Sequence, residues 1–162
     1  MPAIHTSPDP PADDAPAGGG SRGDGTRVEA PAIDIVDEIF LTVPRRELAR
    51  HFADPASWRR HWPDLELRVE ADRGDKGMRW VLTGTLTGTM EVWLEPVLDG
   101  TVLHYYLRAN PAAVMSRSKR ARWVVEETRR RRLAARRLAF GLKDSAERDR
   151  APGCPPEIVS EQ

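Results

Sequence analysis

Ile33, Ile35, Ile39, Leu41 and Val43 alternate with mostly polar neighbours, the period-two pattern of a half-buried strand. Pro44 ends that strand and suits the start of a helix, because the N–H it lacks would find no partner there. Leu48 and Phe52, one turn apart, mark the buried side of this helix. Asp54-Pro55 reads as a cap followed by a first-turn proline, opening a second short helix that carries Trp58 and Trp62 at i,i+4 and stops at Pro63.

Antiparallel strands follow. Leu65–Ala71 alternates, and the run from Asp72 to Gly77 is a turn. Met78, Trp80 and Leu82 share one face, as do Met90, Val92 and Leu94, and then Leu103, Tyr105 and Leu107. Thr83–Thr89 contains two glycines, so a tight hairpin or a glycine bend falls there; Leu98-Asp99-Gly100 is a further hairpin signal. The count is five strands, or six if Thr83–Thr89 is a turn. Residues 117–148 form one long helix, with Val124, Thr128, Arg131, Ala135, Leu138 and Leu142 along one side and Ala121 and Ala139 at its edge. The class is α+β: a strand, two short helices, an antiparallel sheet and a long C-terminal helix.

Composition adds boundaries to this order. Residues 1–31 are rich in Pro, Gly, Ala and Asp with few large apolar side chains, and residues 149–162 are similar, so both read as disordered tails flanking a single domain at 32–148. The 25 basic and 25 acidic side chains cancel overall, yet residues 111–143 hold eleven Arg/Lys against two Glu, a local excess of nine. The single Cys154 excludes an intrachain disulfide and suits a reducing cytoplasm. No secretory pattern or membrane-spanning apolar run is visible, so the expected location is the cytoplasm.

These residues resemble the START-like (SRPBCC) superfamily of the polyketide cyclase/dehydrase and lipid-transport type. The resemblance rests on Val43-Pro44 opening a helix, Asp54-Pro55 with Trp62-Pro63, Leu94-Glu95-Pro96 with Asp99-Gly100-Thr101, and the terminal helix, over about residues 33–148. It implies a helix-grip fold, in which a curved antiparallel sheet wraps a long C-terminal helix around an apolar cavity. The implied function is binding, conversion or transport of a small hydrophobic molecule such as a lipid or polyketide-like intermediate. An enzyme of this type would act as a cyclase or dehydratase by folding its substrate in the pocket. The family sheet usually has about seven strands, so the shorter sheet here implies a smaller or more open cavity.

The candidate ligand-binding walls are Met78, Trp80, Leu82, Met90, Val92, Leu94, Leu103, Tyr105 and Leu107, facing Ala135, Leu138 and Leu142. The competing reading is that these side chains simply pack as core. Arg131, central on the helix's apolar side, needs a carboxylate partner, a bound anion or a route to water. Asp37, which interrupts the apolar series of the first strand, is one candidate partner. An acidic ligand group is another, and Glu127 at the helix rim a third.

Other chemistry is sparse. His51, His61 and His104 belong to no recognisable catalytic motif, and phase puts His104 and Tyr106 on the outer sheet face. One cysteine and no clustered His/Asp/Glu spacing argue against a metal site, and no cofactor is expected. Arg129–Arg132 fan around about 300° of the helix and do not form one stripe, so nucleic-acid binding is not expected. Leu133 and Phe140 form a second apolar stripe on that helix, a surface on which a homodimer is an open expectation. The alternative function is a non-enzymatic interaction module with a filled core, whose arginine-rich helix engages an acidic partner.

Overall fold

A computed structural model describes residues 30–148. The two expected tails lie outside the described residues, apart from residues 30 and 31. Strand β1 (Ile33–Leu41) leads into helices α1 (Arg45–Ala53) and α2 (Pro55–His61); strands β2 (Leu65–Asp72), β3 (Gly77–Gly84), β4 (Leu86–Val97) and β5 (Gly100–Pro111) follow, and helix α3 (Arg117–Glu147) closes the domain. This is an α+β helix-grip arrangement with a curved five-stranded sheet.

The local rules explain most boundaries. Pro44 caps α1, and the Asp54 carboxylate accepts from the Ala56 N–H at 2.9 Å, with Pro55 in the first turn of α2. The Trp58 indole donates to the Phe52 carbonyl at 2.6 Å and Ser57 Oγ to the His51 carbonyl at 2.7 Å, which ties the two short helices together.

Every strand pair is antiparallel, in the order β1-β5-β4-β3-β2. The first strand therefore lies beside the last, placing Asp37 opposite Tyr105 and Ile39 opposite Leu103. The glycine-rich stretch contains both a turn and a close approach. The chain reverses between Gly84 and Leu86, and Gly88 then presses so tightly on β5 that a Cβ there would lie 2.1 Å from the Arg108 carbonyl oxygen. The positive φ of Gly88, +147°, further disfavours any other residue.

One face of the sheet carries the core. Trp62 and Trp80 are fully buried with centroids 5.9 Å apart, and Trp62 stacks on Tyr105 at 6.4 Å. Met78, Leu82, Met90, Val92, Leu94 and Leu107 surround them. Rings of this size bury on the order of 150–250 Å² each, so α2 is held to the sheet mainly through its tryptophans. No helix among the described residues is long and apolar enough to cross a membrane.

Replacing Gly88 with alanine adds a methyl group into the β5 backbone and strains φ. The expected cost is about 2 kcal/mol or more, read as a lower urea midpoint with an unchanged slope.

Candidate functional site

Helix α3 is set on the sheet by charge as well as by apolar contact. Arg131 is only 3% exposed. Its Nε donates to Glu127 at 2.7 Å, while its two terminal nitrogens donate to the two Asp64 oxygens at 3.1 and 2.5 Å. Arg130 adds bonds to Glu127 at 2.9 and 2.7 Å and to Asp64 at 2.9 Å. Two guanidiniums and two carboxylates thus clamp α3 to the corner where Pro63 turns the chain into β2.

The sequence offered Asp37 and Glu127 as partners for Arg131, and the structure supplies Glu127 together with Asp64. Asp64 lies 67 residues away, and only its place in the Trp62-Pro63-Asp64 corner hinted at a fixed position. Burial pulls the Asp64 carboxyl upward, but hydrogen bonds and charge from Arg131 and Arg130 outweigh it and hold the group below its ordinary value. Glu127 is lowered by the same opposition, burial against both arginines.

Beyond the clamp, the helix face becomes small. Ala135 and Ala139 lie opposite Ile39, Leu103 and Tyr105, and a cavity of about 260 Å³ occupies the gap. Asp37, Glu38, Arg136 and Phe140 complete its lining. Glu38, Arg136 and Phe140 are exposed, so the cavity is reached from solvent at the β1 edge of the grip. The Asp37 carboxylate accepts from the Glu38 N–H at 3.1 Å. Tyr105 Oη donates to Met90 Sδ at 3.4 Å, and burial pushes its phenol far above the ordinary value, with Arg131 opposing and Asp37 reinforcing. Tyr105 therefore stays protonated and acts only as a neutral hydrogen-bonding group.

The expected walls divide into two groups. Asp37, Leu103, Tyr105 and Ala135 line the cavity, the last three as members of the core cluster too, whereas Met78, Trp80, Leu82, Met90, Val92, Leu94, Leu107 and Leu138 lie in that cluster without lining the cavity. Leu142 packs half-buried against that cluster. Ala139, at the edge of the helix's apolar side, joins Ala135 in leaving the gap, and Glu38, Ile39, Arg136 and Phe140 join the lining without a signal in the sequence that points to it.

The histidines lie elsewhere. His104, on the outer sheet face as its phase required, is nevertheless buried, with one ring nitrogen 3.1 Å from Glu38 and the other 3.0 Å from Glu95. His51 and His61 face each other across α1 and α2 with their Nε2 atoms 3.0 Å apart. One must donate and the other accept, which suits two neutral rings. Burial, then His51, then Arg60 push His61 down to about 4. Burial and Arg60 also lower His51, against Asp54. Among the described residues, no group of three or more His, Cys, Asp or Glu could hold a metal ion.

No family model and no curated protein matches this chain. Solved structures do match in shape. The solution structure of the Aha1 dimer from Colwellia psychrerythraea superposes with a TM-score of 0.50 at 11% identity, over 74% of this chain and 99% of that one. A Thermus thermophilus protein gives 0.46 at 15% identity, over 73% and 99% of the two chains. A Deinococcus radiodurans protein gives 0.43 at 15%, over 61% and 95%. At 11% identity the likeness to the Aha1 structure is one of fold alone.

Two outcomes follow from the charges. Asp64→Asn should lower stability at pH 7 by about 2–3 kcal/mol, because it leaves Arg131 buried with one partner fewer. Asp64 is depressed in the folded state, so its contribution is whole above the ordinary carboxylate value and is lost as pH falls through the folded one. Urea unfolding should therefore show a smaller loss between about pH 5 and pH 2 in the variant than in the parent. His61 behaves as a lowered base: its contribution is whole above 6.5 and is lost as pH falls toward 4. An NMR titration of the imidazoles should place the His61 midpoint near 4; a midpoint at about 6 or above would contradict the burial argument.

Proposed function

We propose that this chain is a START-like (SRPBCC) binding protein that holds a small, largely apolar molecule between β1, β5 and α3. The observation that carries this reading is the pairing of Ala135 and Ala139 with Ile39, Leu103 and Tyr105, which leaves about 260 Å³ unfilled beside a tightly packed core. Interiors normally close such gaps, since each unfilled volume forfeits contacts.

The volume also limits the ligand. Drug-sized sites begin near ~300 Å³. A compact molecule, or one end of a lipid or polyketide-like chain with the remainder outside, is what this cavity suits. Its polar groups narrow the chemistry further. Asp37 faces the cavity from β1, whereas the Glu38 carboxylate turns to His104 on the outer face and Arg136 is exposed at the rim. Arg131 is already engaged by Glu127 and Asp64. A hydroxyl or amine donor therefore suits the site better than an acidic ligand group. The proposal is one of binding, with transport or conversion as its consequence.

The second reading, a non-enzymatic interaction module, draws on the opposite half of the grip, where Met78, Trp80, Leu82, Met90 and Val92 belong to one buried apolar cluster.

Filling the cavity separates the two. Ala139→Phe should weaken binding of an apolar fluorescent probe at least about tenfold while thermal unfolding stays cooperative. Native mass spectrometry of the protein from its own host should show an apolar adduct that the variant lacks. Equal probe affinity in parent and variant would exclude this cavity as the binding site.

A further inference from the structure

The clamp changes what the arginine-rich segment presents to solvent. Four consecutive arginines fan around the helix, yet Arg130 and Arg131 are drawn to Asp64 and Glu127. At about 100° per residue, Arg122, Arg129, Arg132, Arg136 and Lys143 fall within about 100° of arc, roughly opposite the buried side. The same arc contains Val125, Leu133 and Phe140, which are 70%, 44% and 56% exposed. Between Arg122 and Lys143 it contains no acidic residue. None of its five cations has an ion-pair partner among the described residues. A single stripe of unpaired cations thus exists, contrary to the expectation from sequence, because ion pairs engage two of the four consecutive arginines, Arg131 buried and Arg130 still 55% exposed.

We propose that this face of α3 docks on an anionic lipid surface. Three observations favour a bilayer over an acidic peptide or protein. First, the cations are interleaved with exposed apolar side chains, as on helices that lie in a membrane interface with their apolar groups in the acyl boundary and their arginines at the headgroups. Second, the shallow depression along the stripe is lined only by α3 residues, Val124, Val125, Thr128, Arg129, Arg132, Leu133 and Arg136, so no second wall exists to hold a peptide. The exposed face is the convex side of one helix about 46 Å long, a shape that meets a plane. Third, Arg136 and Phe140 belong both to this stripe and to the cavity lining. Docking would therefore set the edge of the cavity against the headgroup layer, where an apolar ligand is available. The first two observations hold whether or not the cavity binds anything; the third rests on the function proposed above.

Sedimentation with sucrose-loaded vesicles tests this on the full chain. Binding is expected to phosphatidylcholine vesicles containing about 30% phosphatidylglycerol, not to phosphatidylcholine alone, and to weaken from about 50 to 500 mM salt. Arg129→Gln, Arg132→Gln and Lys143→Gln together should reduce that binding by about a hundredfold. None of the three lines the cavity, so this variant should still bind the apolar fluorescent probe in solution. Val125→Ser with Leu133→Ser should weaken vesicle binding several-fold and leave retention on polyglutamate unchanged. The proposal fails if anionic and neutral vesicles bind equally, or if the charge variant binds vesicles as the parent does. It also fails if the serine variant keeps full vesicle affinity, which would point to an acidic protein partner. Vesicle binding without probe binding would retain the docking face and overturn the cavity; probe binding without vesicle binding would do the reverse.

Discussion

The position of α3 depends on a guanidinium that cannot be left alone. Arg131 lies almost fully buried beneath the helix, and a lone charge there would be very costly. Asp64 and Glu127 answer it from two directions, one on the sheet side and one on the helix itself. The helix is thereby pinned in both rotation and translation at one point along its 31 residues. Apolar contact alone, being non-directional, would allow the helix to slide. The bidentate fork onto Asp64 fixes its register against the corner before β2.

From that fixed point the two sides of the grip diverge. Toward β3 and β4, the tryptophans of α2 and the aliphatic residues of the sheet join in one buried cluster. Toward β1, the helix presents Ala135 and Ala139, and the sheet answers with Ile39 and Leu103, which do not reach far enough to close the gap. The cavity thus follows from a rigidly held helix with small side chains one turn past its anchor.

The same anchor decides the outside. Drawing Arg130 and Arg131 toward Asp64 and Glu127 leaves Arg129, Arg132 and Arg136 on the far side, in line with Val125, Leu133 and Phe140. A run that looks isotropic on a helical wheel becomes one-sided in its unpaired charge when two of its members are held in ion pairs. His104 shows the same effect in a different place. Its phase put it on the outer face, correctly, but the flanking carboxylates of Glu38 and Glu95 on neighbouring strands bury a ring that the sequence had left to solvent.

What the sequence determined by itself was local and periodic. The strand alternation, the caps at Pro44 and Asp54, the stop at Pro63 and the inner face of α3 are all legible because each depends on residues a few positions apart. The five strands and their inward faces follow from the same signals. What only the tertiary structure decided were contacts between distant parts of the chain. These include Asp64 as the partner of Arg131, β1 beside β5, the division of the expected walls into cavity and core, and the single basic stripe. Periodicity reports which way a side chain faces, and that is enough to place Tyr105 and Trp80 on the same inner surface. Whether the space beyond such a side chain is filled depends on the volume of residues far away in the sequence, and only the folded packing of α3 against β1 sets that volume.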